Sequence, residues 1–155
     1  MQDIVPIATD DNAGTLHDKL MLLGNKVVVE TLKMIEEGRV HSQSQEVIIQ
    51  KENMLLKPAP KIFKEDCRID WTKDAKSIYD FIRGLSPYPA AHTQFVSDND
   101  ETLDIKVFEV SLKENKSGSK QLYQLDTDGR SYLDVVLKDF NISIKKIQQA
   151  GKKAM

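Results

Sequence analysis

This sequence has little of what most enzymes and membrane proteins need. Its 155 residues contain one cysteine and three histidines, and no Gly-rich phosphate loop or serine nucleophile motif occurs among them. The single cysteine, Cys67, forms no internal disulfide, which fits a reducing compartment and predicts a small buried or half-buried side chain. No apolar run approaches the roughly 20 residues that cross a bilayer. We therefore expect a cytoplasmic protein without membrane contact.

The sequence also lacks the spaced side chains that metal binding and acid–base catalysis require. His17, His41 and His92 lie far apart in the chain, and none has the Cys or Glu spacing that holds a metal ion. Acidic pairs such as Asp10-Asp11 occur in polar stretches, where capping or solvation is expected rather than acid–base catalysis. The residues alone predict no metal site and no catalytic residue in this chain.

Positive charge is clustered at the end of the chain rather than spread over it. The formal net charge is -2, so a global basic field does not favour nucleic-acid binding. However, Lys145, Lys146, Lys152 and Lys153 occur with no acidic residue after Asp139. From the residues alone, a solvated lysine face and a nucleic-acid-binding face both stay open.

The first sixty residues predict one helix and a linker. Apolar residues recur at helical spacing from Leu16 towards Gly38, and Thr15 has the pattern of a capping residue, so we expect a helix from about Leu16 to Glu37. Its apolar stripe has no partner surface within the chain. Residues 39–60 lose the helical period and end in prolines, which is typical of a linker, with Val47–Ile49 as a candidate short strand.

Beyond the linker the pattern predicts one helix followed by several strands. Thr72 is the expected cap of this helix, and its apolar face consists of Ala75, Ile78, Tyr79, Ile82 and Leu85. Apolar residues then recur at every second position, as in a strand. The phase of this alternation changes at Val107-Phe108, which predicts a β-bulge. After a turn at 127–130, one strand is expected with Leu133, Val135 and Leu137 on one side, followed by another with Phe140, Ile142 and Ile144. Short antiparallel strands with one early helix predict a mainly β fold, a small OB-like Greek-key barrel.

Three blocks of the sequence resemble methionyl-tRNA formyltransferases. Ile69-Asp70-Trp71, Ile82-Arg83-Gly84-Leu85 and Pro87-Tyr88-Pro89 stand where the C-terminal domain of that family has its signature. The closing AGKKAM is similar to the basic run at the end of that domain, and AGTLHDKL at 13–20 is similar to the helix that finishes the catalytic domain. The resemblance implies that residues 1–38 end an α/β Rossmann-like catalytic domain, that 39–60 are a linker, and that 61–155 form an OB-like tRNA-binding barrel.

The resemblance implies an activity for the parent protein and a narrower role for this chain. Members of the family transfer a formyl group from 10-formyltetrahydrofolate to the α-amine of methionyl initiator tRNA, using an asparagine, a histidine and an aspartate in the N-terminal domain. That set would lie before Met1, so we expect a C-terminal fragment that is inactive alone and needs no metal. Its expected partners are initiator methionyl-tRNA and its own catalytic domain, and the exposed first helix would invite self-association.

The resemblance also implies which side chains position tRNA. Lys61 and Lys64 match the basic positions at the end of the linker, and Lys152 and Lys153 match the closing Gly-Lys-Lys. The full set of expected tRNA-binding residues is Lys61, Lys64, Lys145, Lys146, Lys152 and Lys153. Two alternatives stay open: a free-standing RNA-binding barrel, and the C-terminal domain of a related formyltransferase that acts on a sugar nucleotide or on formyltetrahydrofolate.

Other notable residues are expected to be structural. Trp71 is expected in the core, and Arg83 is expected to pair with a carboxylate such as Asp80. Lys106 and Lys113 are expected on strands away from the linker. Residues 89–93 read Pro-Ala-Ala-His-Thr where the family pattern is Pro-Gly-Ala-Trp-Thr, which predicts a less tight turn after Pro89.

Overall fold

The computed structural model describes residues 1–53, 55–97, 99–114 and 121–155. The described residues form three α-helices, one short 3₁₀ helix and five strands. In chain order these are α1 (Ala13–Glu36), α2 (Gln45–Lys51), the 3₁₀ helix Glu65–Cys67, α3 (Ala75–Leu85), β1 (Ala91–Val96), β2 (Thr102–Glu114), β3 (Leu125–Thr127), β4 (Leu133–Val135) and β5 (Phe140–Gln149). The chain divides into two compact units, residues 1–7 with 17–62 and residues 8–16 with 63–155.

The first unit consists of most of α1 and all of α2. None of the 24 residues of α1, all of them described, is buried. Leu20, Met21 and Leu22 are each more than half exposed. The strand expected at Val47–Ile49 is wrong, because these residues lie in α2. A short apolar run fits a helix as well as a strand, so its period does not decide between them.

The start of α1 belongs to the second unit and differs from its expected form. The helix begins at Ala13 rather than Leu16. The amide of Thr15 donates to Asn12 Oδ1 at 2.9 Å, and the amide of Asn12 donates to Thr15 Oγ1 at 2.9 Å. Asn12 is thus the cap, and Thr15 is the residue that reaches back to it. The sequence pattern had assigned the role of cap to Thr15.

The expected fold class, a mainly β barrel-type domain with one early helix, is confirmed in the second unit. Its five strands form one antiparallel sheet in the order β1-β2-β5-β4-β3, which curls into a half-barrel. The neighbouring strands β3, β4 and β5 fold back so that β5 pairs with β2. This is a Greek-key arrangement, in which a long connection brings sequence-distant strands side by side.

The core of this unit lies between α3 and the inner face of the sheet. Helix α3 buries Ala75, Ile78, Ile82 and Leu85. They join a cluster whose other buried members are Cys67, Ile69, Ala91, Ile105, Val107, Val135, Leu137, Ile142 and Ile144. The predicted apolar face of the helix is therefore confirmed, with Tyr79 packed at its margin.

Trp71 and the cap of α3 lie beside this core. The structure confirms the prediction for Trp71 but not the one for the cap. Trp71 packs against the core and donates from Nε1 to Thr93 Oγ1 at 2.9 Å, so its core position is confirmed. The cap of α3 is Asp74 rather than Thr72, because Asp74 Oδ1 accepts from the amide of Ser77 at 2.9 Å. The hydroxyl and amide of Thr72 instead donate to Asp70 Oδ1.

The predicted β-bulge is confirmed, and a second one accompanies it. The register of β2 and β5 runs from Val107↔Ile147 to Glu109↔Lys146 and then to Val110↔Ile144. Phe108 and Lys145 are therefore both skipped, one on each strand. Each extra residue changes the phase of its own strand, which keeps apolar side chains of both strands on the inner face.

The turn after Pro89 holds Ala90 in a backbone conformation that favours glycine. Ala90 has a φ of 73°, the left-handed region that glycine occupies most easily. Its amide donates to the carbonyl of Leu85 at 2.9 Å, and its side chain is buried. The structure thus shows a closed turn with alanine in a backbone conformation that favours glycine, and the less tight turn expected from the family pattern stays a prediction.

Candidate nucleic-acid interface

Lys64 is fixed to the barrel through its backbone. It precedes the 3₁₀ helix Glu65–Cys67, and its carbonyl accepts from the amide of Cys67 at 3.1 Å. The same oxygen lies 2.9 Å from Nε2 of His92 on β1. Since a carbonyl oxygen only accepts hydrogen bonds, Nε2 of His92 carries the hydrogen in this contact. The exposed side chain of Lys64 therefore starts from a position that β1 holds in place.

The outer face of the sheet continues from His92 across two further strands. His92 on β1 is paired in register with Lys106 on β2, and Lys106 is paired with Gln148 on β5. The residues on either side of Lys106, Ile105 and Val107, are buried in the core. Because side chains alternate along a strand, Lys106 points away from that core together with its two partners.

Gln148 connects this face to the end of the chain. Its Nε2 donates to the carbonyl of Lys152 at 2.9 Å. The amide of Lys152 donates to the carbonyl of Gln149 at 3.0 Å, closing a turn in which Gly151 has a φ of 74°. Lys152 and Lys153 are thus carried by a closed turn rather than by a loose end.

The backbone beyond these lysines is also tied down. Ile147 and Met155 exchange two backbone hydrogen bonds, at 2.9 Å and 2.8 Å. Such a reciprocal pair is the repeating unit of an antiparallel ladder. The segment that holds Lys152 and Lys153 is therefore closed at both ends. We call Lys64, His92, Lys106, Gln148 and Lys152 the outer row.

Lys145 and Lys146 are adjacent and both exposed because of the bulge in β5. Lys145 donates from Nζ to Ser143 Oγ at 3.0 Å. Lys146 lies opposite Glu109 in the register, with 3.5 Å between its Nζ and Glu109 Oε1. Part of the positive charge of Lys146 is therefore balanced within the sheet.

Lys61 and Lys113 both lie outside the outer row. Lys61 is exposed and belongs to the first unit, so it is described apart from the outer row. Lys113 pairs with the fully buried Asp134 at 2.6 Å and lies over the ring of Tyr132. This hydrogen bond from Lys113 to Asp134 raises the pKa of the Lys113 ammonium. Lys113 thus has a structural partner on β4.

Lys106 is the residue that sequence reasoning misplaced. It was expected away from the linker predicted at 39–60, yet it lies opposite His92, whose ring contacts the carbonyl of Lys64, shortly after that segment. The missing signal was strand pairing, since the sequence shows that Lys106 faces outward but not which strand lies beside it.

Carboxylates flank the outer row and limit its positive field. Burial raises the pKa of the Cys67 thiol, and the charges of Asp66 and Glu65 raise it further, whereas Lys106 lowers it. Asp66 accepts from the amide of Phe63 at 2.8 Å. Asp104 accepts from Nε2 of Gln94 at 2.9 Å. The outer row therefore carries three lysines with carboxylates nearby, rather than forming a broad basic patch.

Comparison with known proteins identifies the family of this chain. The family described as formyl transferase, C-terminal domain, matches residues 61–155. The chain belongs to the formyl transferase C-terminal domain family. The match begins at Lys61 and includes the whole outer row.

Relatives of known name are similar along almost the whole chain. Methionyl-tRNA formyltransferase of Phocaeicola vulgatus is 47% identical over 151 residues, which are 97% of this chain and 46% of that protein. The protein of the same name from Bacteroides fragilis is 45% identical with the same shares. That of Azobacteroides pseudotrichonymphae is 44% identical over 155 residues, 99% of this chain and 47% of the relative. The chain thus spans about half the length of the curated relatives it matches.

The described residues of this family member offer no other obvious chemistry. Among them, no group of three or more His, Cys, Asp or Glu side chains is arranged to hold a metal ion. Within the same described part, no helix combines the length and apolarity needed to cross a membrane. The groove lined by Asp70, Asp74 and Asp80 has its carboxylates in use, since Asp70 and Asp74 bond to Thr72 and Ser77 and Asp80 pairs with Arg83.

Proposed function

We propose that this chain is the tRNA-positioning part of a methionyl-tRNA formyltransferase. The parent enzyme would transfer a formyl group from 10-formyltetrahydrofolate to the amine of methionyl initiator tRNA in translation initiation. The outer row carries the proposal, because it joins the lysine at the end of the linker to the lysines that close the chain. Similarity to relatives of that name over 97% of the chain supports it.

Lysines at the two ends of the row would contact phosphates. Lysine presents a compact, mobile charge, which suits phosphate oxygens but reads no base sequence. Lys64, Lys152 and Lys153 are exposed, and their backbones are held by hydrogen bonds or by a closed turn. Lys61, Lys145 and Lys146 would add further contacts, with Lys146 the weakest because Glu109 competes for it. The chain would thus place a tRNA without selecting the initiator species.

The formyl donor would bind elsewhere in the parent enzyme. A folate-type donor needs an enclosed, largely apolar pocket with a few polar groups aimed into it. Among the described residues, the groove on α3 instead has carboxylates that cap the helix or pair with Arg83, so these residues do not fit the donor. We therefore assign no step of formyl transfer to this chain and expect it to be inactive alone.

The partner of the first unit would be the catalytic domain of the parent enzyme. Helix α1 exposes apolar side chains, among them Val28, Leu32 and Ile35, which share one face of the helix. Burying such surface contributes about 25 cal/mol per Å², so the catalytic domain would cover it in the whole enzyme. In its absence, self-association through α1 is the expected artefact. A cytoplasmic location follows from the proposed use of methionyl-tRNA.

The proposed domain division follows from the same assignment. Residues 1–38 would end the catalytic domain, 39–60 would be the linker, and 61–155 would be the barrel domain. The match of the family to residues 61–155 supports the last boundary. Limited proteolysis should cut first between about Arg39 and Pro60, where no residue is buried in the described part of the segment.

A salt titration of tRNA binding tests the proposal. If Lys61, Lys64, Lys152 and Lys153 make about four phosphate contacts, log affinity against log salt should have a slope of roughly -3 to -4. The quadruple alanine variant should lose most of this slope while its thermal unfolding is unchanged. Lys138→Ala, an exposed lysine outside the set, is the matched control. Binding that ignores ionic strength, or a folded quadruple variant that binds like the parent, would show the role to be wrong.

A second measurement tests the assignment of the chemistry. The purified chain, mixed with methionyl-tRNA and 10-formyltetrahydrofolate, should give no formylated product. Folate-dependent turnover by this chain would mean that it holds a donor site and reactive groups.

A further inference from the structure

Lys106 occupies the middle of the outer row, between the two groups of lysines that the proposed function uses. Cross-strand neighbours on one face of a sheet lie roughly 5 Å apart. His92, Lys106 and Gln148 therefore form a short line across three strands, and their contacts extend it to Lys64 at one end and Lys152 at the other. A polyanion that reached both ends would pass over Lys106.

The surroundings of Lys106 leave its charge available to a ligand. Its two partners in register, His92 and Gln148, carry no negative charge. Among the ion pairs of the described residues, Lys113 pairs with Asp134 and Lys146 with Glu109, whereas none includes Lys106. A strand lysine whose register partners carry no opposite charge gains little from cross-strand ion pairing.

The nearby acids restrict where such a ligand could lie. Asp104 shares the outer face two residues before Lys106, and its Oδ1 is engaged by Gln94. Asp66 is engaged by the amide of Phe63. These carboxylates repel a phosphate chain from the sides of the row, whereas the row itself stays attractive.

We propose that Lys106 contacts a backbone phosphate of the bound tRNA, and that Lys64, Lys106 and Lys152 form one continuous phosphate track. This inference rests on the proposed function and adds a residue to its interface. His92 and Gln148 serve the track by fixing the backbones of Lys64 and Lys152 on either side of Lys106. The track predicts that these three lysines act on the same stretch of ribose-phosphate chain.

The test compares Lys106→Gln, Lys106→Arg and the control Lys138→Gln in the full chain, by titrating tRNA binding across salt. Glutamine keeps most of the side-chain length and removes the charge. We expect Lys106→Gln to reduce the magnitude of the salt slope by about 0.7 to 0.9. Lys106→Arg should keep the parent slope, and Lys138→Gln should change it little. Thermal unfolding of each variant shows whether the fold is kept.

Lys64→Ala and Lys152→Ala in the same assay separate two kinds of failure. If both change the slope and Lys106→Gln does not, the track is wrong and the proposed function stands. If none of the three changes it, the tRNA interface itself is wrong. An equal loss from Lys138→Gln and Lys106→Gln would also overturn the track, because the effect would then reflect net charge alone.

Discussion

Arg83 donates from Nη1 to the backbone carbonyl of Asp11 at 2.7 Å, which joins α3 to the segment that begins α1. The ring of Tyr79 lies 5.8 Å from the guanidinium, and its hydroxyl donates to the carbonyl of Thr9 at 3.3 Å. The amide of Gly14 donates to the carbonyl of Ser86 at 3.0 Å. Residues 8–16 are therefore built into the barrel unit by polar contacts with α3 and with its C-terminal end.

Replacing Arg83 should release this segment without unfolding the barrel. In Arg83→Met, the hydrogen bond from the guanidinium to the carbonyl of Asp11 is lost, so the amide of Gly14 should exchange with solvent at least severalfold faster. Hydrogen exchange of Gly14, with Ile142 in β5 as the internal reference, measures this. Lys76→Met is the matched control, because Lys76 also pairs with Asp80 and lies near Tyr79, whereas the hydrogen bonds to the carbonyls of Ala8 and Asp11 come from Arg83. Equal exchange of Gly14 in both variants and the parent would contradict the role of Arg83.

Gly14 and Gly24 should respond in opposite directions to alanine. A Cβ on Gly14 would lie 2.6 Å from Cδ of Pro87, whereas one on Gly24 would meet nothing within 4 Å. Gly14→Ala should therefore loosen the docking of residues 8–16. Gly24→Ala should stabilise α1 by about 1 kcal/mol, since alanine is the better helix former. Circular dichroism for α1 and exchange of Gly14 for the docked segment distinguish these effects. Unchanged exchange in Gly14→Ala would mean that Pro87 moves aside at little cost.

Ala90 should tolerate glycine and reject valine. Its φ of 73° is disfavoured for residues with a Cβ, and a β-branched side chain fits it worst. The site is also buried, so added methyl groups have little room. We expect Ala90→Val to reduce the free energy of unfolding by about 2 kcal/mol or more, and Ala90→Gly to stay within about 1 kcal/mol of the parent. Urea unfolding of the two variants checks this, and a valine variant as stable as the parent would refute the strain.

Asp80 should stabilise the fold at neutral pH but not in acid. Hydrogen bonds from Lys76, and then from Arg83, hold the pKa of its carboxyl below the ordinary value of 3.8. A carboxyl with a lowered folded pKa contributes stability above its unfolded pKa and loses it as the pH falls through the folded pKa. Asp80→Asn should therefore unfold at a lower temperature than the parent near pH 7, and the difference should shrink as the pH falls below 3.8. A gap that is constant with pH would mean that the charge does not contribute.

The spacing of apolar residues was enough to predict the helix and the strands that bury one face in the core. The helical period from Ala75 to Leu85 located the buried face of α3, and the phase change at Val107-Phe108 located the bulge on β2. Both signals arise because the core selects apolar residues at a fixed spacing. The mainly β fold followed from the same alternation, with the turn at 127–130 separating β3 from β4.

The predictions failed where two side chains could serve as the same helix cap. They also failed where the neighbours of a residue depend on which strands pair. Asn12 and Thr15 are both good capping residues, and only the contacts show that Asn12 caps the start of α1. Asp74 prevails over Thr72 at the start of α3 in the same way. Lys106 was misplaced because its neighbours His92 and Gln148 are set by the pairing of β2 with β1 and with β5, which the alternation along β2 does not show. For the candidate site, the sequence therefore supplied the lysines but not their order in space.

The paired bulges make the lengths of β2 and β5 depend on each other. If Phe108 alone were deleted, β2 would lose its bulge while β5 kept the extra residue Lys145. Every residue pair beyond that point would then shift by one position. Without both Phe108 and Lys145, Val107↔Ile147, Glu109↔Lys146 and Val110↔Ile144 would follow one another in a regular ladder, with the same side chains inward. Insertions and deletions at these two positions are thus tolerated together, as a single compensated change in strand length.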